Sequence, residues 1–204
     1  MYFDLSQLSP GQIYVRMNET LIPRPIAWVL SENAGGGLNL APFSYFTAVS
    51  SDPPLIMLSV GKKPDGSFKD TRVNIEQRGH FVVHIPHREQ AVDLTATSAS
   101  LPAGESELEK VGLETADFEG FALPRLAQCR VAYACERYRV DEIGGTPQSL
   151  IFGLVTGIHV DDAVAHQDEA GRWRVDAHKV DPLGRLGPDQ YAALGELIKV
   201  PRPS

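Results

Sequence analysis

The chain has 204 residues, 43% hydrophobic and 22% charged, values near those of globular domains and unlike those of disordered chains. This length suits one large domain able to bury a core and still keep a pocket. A formal net charge of -7 without any Lys/Arg cluster argues against nucleic acid as a partner, since a phosphate backbone needs grouped cations.

Met1-Tyr2-Phe3-Asp4 lacks a basic region followed by an apolar run, so no signal peptide is expected. The longest apolar runs are strand length, so no membrane span is expected either. Ser9 as an N-cap and Pro10 at the first helical position predict a short helix over 9–17, with Ile13 and Met17 on its apolar side. Pro23-Arg24-Pro25 imposes an extended stretch before the apolar strand 26–30. Gly35-Gly36-Gly37 then turns the chain into a partner strand at 38–41. Strands are also expected at 55–60 and 80–85, with a helix over 70–77 between them that Gly79 ends.

Residues 88–97 carry a helical pattern through Ala91, Leu94 and Ala96. Residues 98–120 are polar and rich in Gly, Pro and Glu, which predicts a path over the surface. A second hairpin is predicted from 128–140 and 149–160, joined by Gly144-Gly145-Thr146-Pro147, with a break in the first strand between Cys135 and Tyr138. A short hairpin near Gly171 and a helical turn over 191–198 complete the chain. Many strands with few short helices predict a single antiparallel barrel with peripheral helices.

Several familiar chemistries lack their motifs. There is no G-x-G-x-x-G after a strand, no Walker-A spacing and no G-x-S-x-G elbow. His80, His84 and His87 suggest a metal, but His80 and His84 on one strand would lie about 13 Å apart, so no metal site is expected. Cys129 and Cys135 are the only cysteines. On one strand they would be about 20 Å apart, too far for a disulfide, and they read as buried thiols of a protein in a reducing compartment.

Two segments stand out. Asn39-Leu40-Ala41-Pro42-Phe43-Ser44-Tyr45-Phe46 puts aromatic side chains and free backbone polar groups together, which suits a flat heteroaromatic ligand or, alternatively, a core-filling bend. In Lys69-Asp70-Thr71, an Asp70 N-cap would leave first-turn amides facing outward. With Lys69, the Thr71 hydroxyl and Ser67 they could hold an anion, although Asp70 itself would repel one. Taken alone, each segment is better explained as ordinary structure.

Read together with Arg24-Pro25-Ile26-Ala27-Trp28-Val29, Ser50-Ser51-Asp52-Pro53-Pro54, Asn74-Ile75, Ala96-Thr97-Ser98 and Arg185-Leu186-Gly187 with Tyr191, Pro201, Arg202 and Pro203, these segments give another picture. The chain resembles the flavin reductase-like, FMN-binding split-barrel family, in particular the branch with the reductase component of nitrilotriacetate monooxygenase. That resemblance implies a six-stranded, Greek-key-like split barrel and a homodimer, while the reducing compartment read from the cysteines makes a cytoplasmic location the expectation. It implies FMN as cofactor, with FAD the other flavin it allows, and NAD(P)H as hydride donor. Reduced flavin would serve a separate monooxygenase. Asn39, Ala41, Ser44 and Tyr45 would line the isoalloxazine ring, with Pro42 among them. Ser59, Gly61, Lys69 and Thr71, with Asp70 between the last two, would surround the ribityl phosphate, and Arg24 is a further candidate there. No catalytic acid or base is implied.

Relatives that reduce free flavin often carry a histidine in the turn of the second hairpin. Here that turn reads Glu142-Ile143-Gly144-Gly145-Thr146. The departure leaves two other roles open: an electron carrier with tightly held FMN, and a non-catalytic flavin-binding module.

Overall fold

The computed structural model describes residues 1–99, 101, 105–201 and 203. Ser9 caps helix α1 (Pro10–Thr20): its hydroxyl accepts from the Gln12 amide while the Gln12 side chain accepts from the Ser9 amide. The helix continues past Met17 to Thr20. The proline-flanked segment forms β1 (Arg24–Pro25), followed by β2 (Ala27–Glu32), β3 (Leu38–Phe43), β4 (Phe46–Ser51) and β5 (Pro54–Val60). Next come α2 (Asp70–Arg78), β6 (His80–His84), α3 (Ala91–Ala96), α4 (Glu107–Val111), β7 (Thr115–Ala116) and β8 (Arg125–Leu126). The long hairpin β9 (Val131–Glu142) and β10 (Ser149–Val160) precedes β11 (Ala165–Gln167), β12 (Trp173–Val175), α5 (Ala177–Val180), β13 (Gly184–Arg185) and β14 (Tyr191–Ala192).

Seven strands form one antiparallel sheet in the order β3-β2-β6-β9-β10-β5-β4, one strand more than expected. A small sheet, β1-β13-β14, pairs Arg24 with Arg185 and so joins the start of the barrel to the tail. The predicted break in β9 is a bulge: Phe152 pairs with Arg139 and Gly153 with Arg137, leaving Tyr138 as the extra residue. One extra residue shifts the side-chain alternation, which is why the apolar positions change phase there.

Strand β2 is buried on both faces because the sheet separates two cores. Trp28 and Leu30 pack with Leu40, Val82, Leu94 and Leu126, while Ala27 and Val29 pack with Phe43, Leu58, Ile75, Phe81 and Ile151. Gly153 makes room for the second set, since a Cβ there would meet Phe81 Cζ at 2.5 Å. His84 pins the sheet to β8 from inside. The Leu126 amide donates to its Nε2 at 2.9 Å and its Nδ1 donates to the Trp28 carbonyl at 3.0 Å. The ring is thus neutral, and burial pushes its pKa down to about 4.

Three expectations need correction. Residues 98–120 do not simply run over the surface: Leu108 and Phe118 enter the core and α4 packs on β3. The helix is too short and polar to show periodicity, and residues 100 and 102–104 lie outside the described ones. The tail forms no helical turn over 191–198, because Tyr191 and Ala192 pair with β13 instead. Finally, Asp70 is the first residue of α2 and not its cap, which is Lys69. Both cysteines are free and buried. Among the described residues, no helix is long and apolar enough to cross a membrane, and no group of three or more His, Cys, Asp or Glu is placed to hold a metal ion.

Candidate functional site

A cleft of about 380 Å³ opens where β3, the start of α2, the end of α3 and the start of α4 converge. Asn39, Ala41 and Pro42 form one wall, and Lys69, Asp70 and Thr71 face it. The two segments that looked ordinary apart are joined directly, since Asn39 Nδ2 donates to Thr71 Oγ1 at 3.0 Å. Asn74, a turn further along α2, donates to Ser31 Oγ at 3.1 Å and to Asn33 Oδ1 at 2.8 Å, which fixes the helix on the first hairpin.

No side chain caps the start of α2. Its first amides lack intrahelical acceptors, and the helix dipole adds partial positive charge there. Lys62, Lys63 and Lys69 all border the cleft. Lys63 Nζ grips both Asp70 oxygens at 2.8 and 3.0 Å, so the carboxylate that seemed ready to repel an anion is already neutralised. Among the described residues, Lys69 meets no carboxylate. Its ammonium lies 5.5 Å from the Phe43 ring centroid, and partial desolvation lowers its pKa.

Sequence reasoning missed the remaining walls. Thr97 accepts from the buried Trp28 Nε1 at 2.8 Å and anchors the end of α3 beside the cleft. Glu107 is buried, accepts from the Leu40 amide at 3.2 Å and also lines the cleft; burial raises its pKa. The twin lysines 62 and 63 beyond β5 were a legible signal. Glu107 lay in a segment that read only as polar surface.

Not every expected residue meets here. Ser59 donates to Gln148 Oε1 at 3.2 Å, and Gly61 lies under the same side chain, so both face the second hairpin. Ser44 and Arg24 border a separate groove with Arg185, and the Tyr45 ring lies 6.0 Å from the Arg24 guanidinium. Arg24 therefore does not join Lys69. Arg72, also on α2, stacks 3.5 Å over Phe68 and pairs with Glu142 at 2.9 Å, tying the helix to the second hairpin. The cleft can accordingly hold a flat polar group against β3 and an anion against α2.

Known proteins share this architecture. An uncharacterized Bacillus subtilis protein, YwrF, is 37% identical over 206 residues, spanning 99% of this chain and 98% of its own. The crystal structure of nitrilotriacetate monooxygenase component B from Bacillus cereus matches with a TM-score of 0.89 at 33% identity, covering 98% of each chain. A split barrel domain protein from Shewanella frigidimarina matches over all of both chains with a TM-score of 0.84 at 21% identity, which speaks to the fold alone. Residues 17–174 match the family model described as flavin reductase like domain. The chain is a split barrel and belongs to the flavin reductase like family.

Proposed function

We propose that the cleft binds FMN and that the protein is an NAD(P)H-dependent flavin reductase supplying reduced flavin to a separate monooxygenase. The observation that carries this reading is the meeting of Asn39-Ala41-Pro42 with the uncapped start of α2 and its lysines in one cleft. Lys69, the Thr71 hydroxyl and the first α2 amides hold the ribityl phosphate, as helix starts commonly do. Asp70 contributes by fixing Lys63. Asn39 and Ala41 offer an amide and backbone groups to the ring edge, and Pro42 gives an apolar surface. Ser44 and Tyr45 stand at the ring's outer end, and Ser59 and Gly61 support the cleft through Gln148. We assign FMN over FAD because the cleft offers one anion seat, the start of α2 with its lysines.

When bound, the flavin would supply the redox chemistry, as an acceptor of hydride from a nicotinamide. The chain's part is to hold the rings in register, with donors at the ring edge where charge grows. We assign a homodimer, because α1 buries only Asn18 and leaves Met17, with Leu21 and Ile22 just beyond the helix, exposed. Free buried thiols fit a cytoplasmic setting.

The test begins with the flavin content of purified protein, followed by NADH and NADPH oxidation with and without added FMN. Turnover that requires FMN supports the reading, and protein that binds no flavin refutes it. Lys69→Ala should weaken FMN more than riboflavin, which lacks the phosphate; equal losses would remove Lys69 from the phosphate end. The second hairpin favours one alternative, since its turn has no histidine. A yellow protein inert to both nicotinamides would be the electron carrier.

A further inference from the structure

Arg24 is 5% exposed, yet among the described residues no carboxylate neutralises it. It donates to the carbonyls of Asn18 at 2.6 Å, Leu21 at 2.8 Å and Leu186 at 2.8 Å, and through Nε to Ser44 Oγ at 3.4 Å. A guanidinium has five N–H groups, so one remains for another acceptor. Arg185, paired with Arg24 across β1 and β13, donates to the Pro188 carbonyl and stacks 4.7 Å from the Tyr191 ring centroid; it too meets no carboxylate among those residues. Burial lowers the Arg24 pKa; Tyr45 and Tyr14 act in the opposite direction, and the nearby Arg185 adds a smaller lowering. Two like charges thus share a groove of about 190 Å³, in a chain with 26 acidic residues against 19 Lys and Arg. Carbonyl dipoles solvate Arg24, but they do not cancel the charge of the pair.

The groove lies near the cleft. Ser44 and Arg185 also border a small pocket walled by Ile26, Phe43 and Leu94, which shares Pro42 and Ser98 with the lysine cleft. The small pocket thus stands between the ring end of the proposed flavin site and the arginine pair. We propose that Arg24 and Arg185 form an oxyanion site for a second substrate, a flat organic molecule whose phosphate or carboxylate group they hold while its body reaches toward β3. Guanidinium groups suit both oxyanions because their parallel N–H groups match two oxygens at once. The second-substrate role rests on the flavin reading; the anion site rests on the arginine pair.

Isothermal titration of the full chain with two probes, inorganic pyrophosphate and benzoate, tests this. Wild type should bind at least one of them. Arg185→Gln should weaken that binding by about tenfold, Arg185→Lys should lose less, and FMN affinity should change by less than about threefold in both. Preference for pyrophosphate identifies a phosphorylated second substrate such as a nicotinamide dinucleotide, and preference for benzoate a carboxylated electron acceptor. The proposal is overturned if neither probe binds wild type or if Arg185→Gln binds as wild type does. It is equally overturned if FMN weakens in step with the probe, which would make the groove the flavin's own phosphate seat. A wild type that binds a probe but no FMN would refute the flavin reading and leave the anion site standing.

Discussion

The cleft between β3 and α2 and the polar layer around His84 both bury side chains that water would otherwise solvate, but they complete their hydrogen bonds differently. In the layer, both nitrogens of His84 meet backbone partners, and Gln90 links the His87 amide to the Cys129 thiol. Burial pushes that thiol's pKa up to about 12, so it stays protonated and inert. The layer leaves one loose end, His87 Nδ1, which finds no hydrogen bond. In the cleft, the start of α2 has no side-chain cap and Lys69 has no acidic partner among the described residues. Saturated burial specifies structure, whereas burial with donors left open marks a place for a ligand. His84, one of the three histidines that suggested a metal, is thus structural, and Lys62, Lys63 and Lys69 stand at the cleft.

The strongest way to break this division is His84→Leu. It leaves the Leu126 amide buried without its acceptor and strips the Trp28 carbonyl of its side-chain donor, which should cost about 2–5 kcal/mol in urea unfolding. FMN affinity of the native protein should stay within about twofold, because the hydrogen-bond partners of His84, Trp28 and Leu126, do not line the cleft. Lost binding at unchanged stability would show the layer to be part of the site.

Acid sharpens the same point. The folded pKa of His84, about 4, lies below its ordinary value of 6.5. Between those values the unfolded chain takes up the proton first, so His84's contribution is complete above pH 6.5 and is lost as pH falls through 4. The loss across that window is on the order of 3 kcal/mol. Unfolding midpoints near pH 7.5 and pH 4 should therefore differ less in His84→Gln, which cannot titrate, than in wild type.

Thr97→Val tests the seam between the regions, since Thr97 accepts from Trp28 in the core and also lines the cleft. Stranding the buried indole N–H should cost about 1–3 kcal/mol. FMN should weaken only slightly, because Thr97 shapes the wall and holds no phosphate.

The same contrast explains what the sequence disclosed. Strands β2, β3 and β10, the capped start of α1 and the Gly79 end of α2 arise from local rules of alternation, capping and turn chemistry, and all were legible. The pairing of Arg24 with Arg185 and of β13 with β14 joins segments far apart in the chain, and no local pattern announces it; Tyr191 therefore read as part of a helical turn. In the site, Asn39 and Lys69 could be named from their motifs, but their meeting through Thr71 could not. Glu107 escaped altogether, because a polar five-residue helix has no periodicity to betray a buried face.

Glu107 carries the smallest predicted effect and the finest test of the division, since one of its oxygens accepts from the Leu40 amide while its carboxylate borders the cleft. Burial raises its pKa above 4.5. The folded state therefore keeps the proton longer than the unfolded one, and stability falls as pH rises from 4.5 through the raised value. Glu107→Gln retains an acceptor for Leu40 without the charge. It should match wild type near pH 4.5 and equal or exceed its stability near pH 8, as read from urea midpoints. Removing a negative charge from the cleft should also tighten FMN by a few-fold at neutral pH, an effect that added salt should shrink. If the variant is less stable than wild type at high pH and FMN affinity does not move, Glu107 is a saturated structural group, and the boundary between layer and cleft runs on the ligand's side of α4.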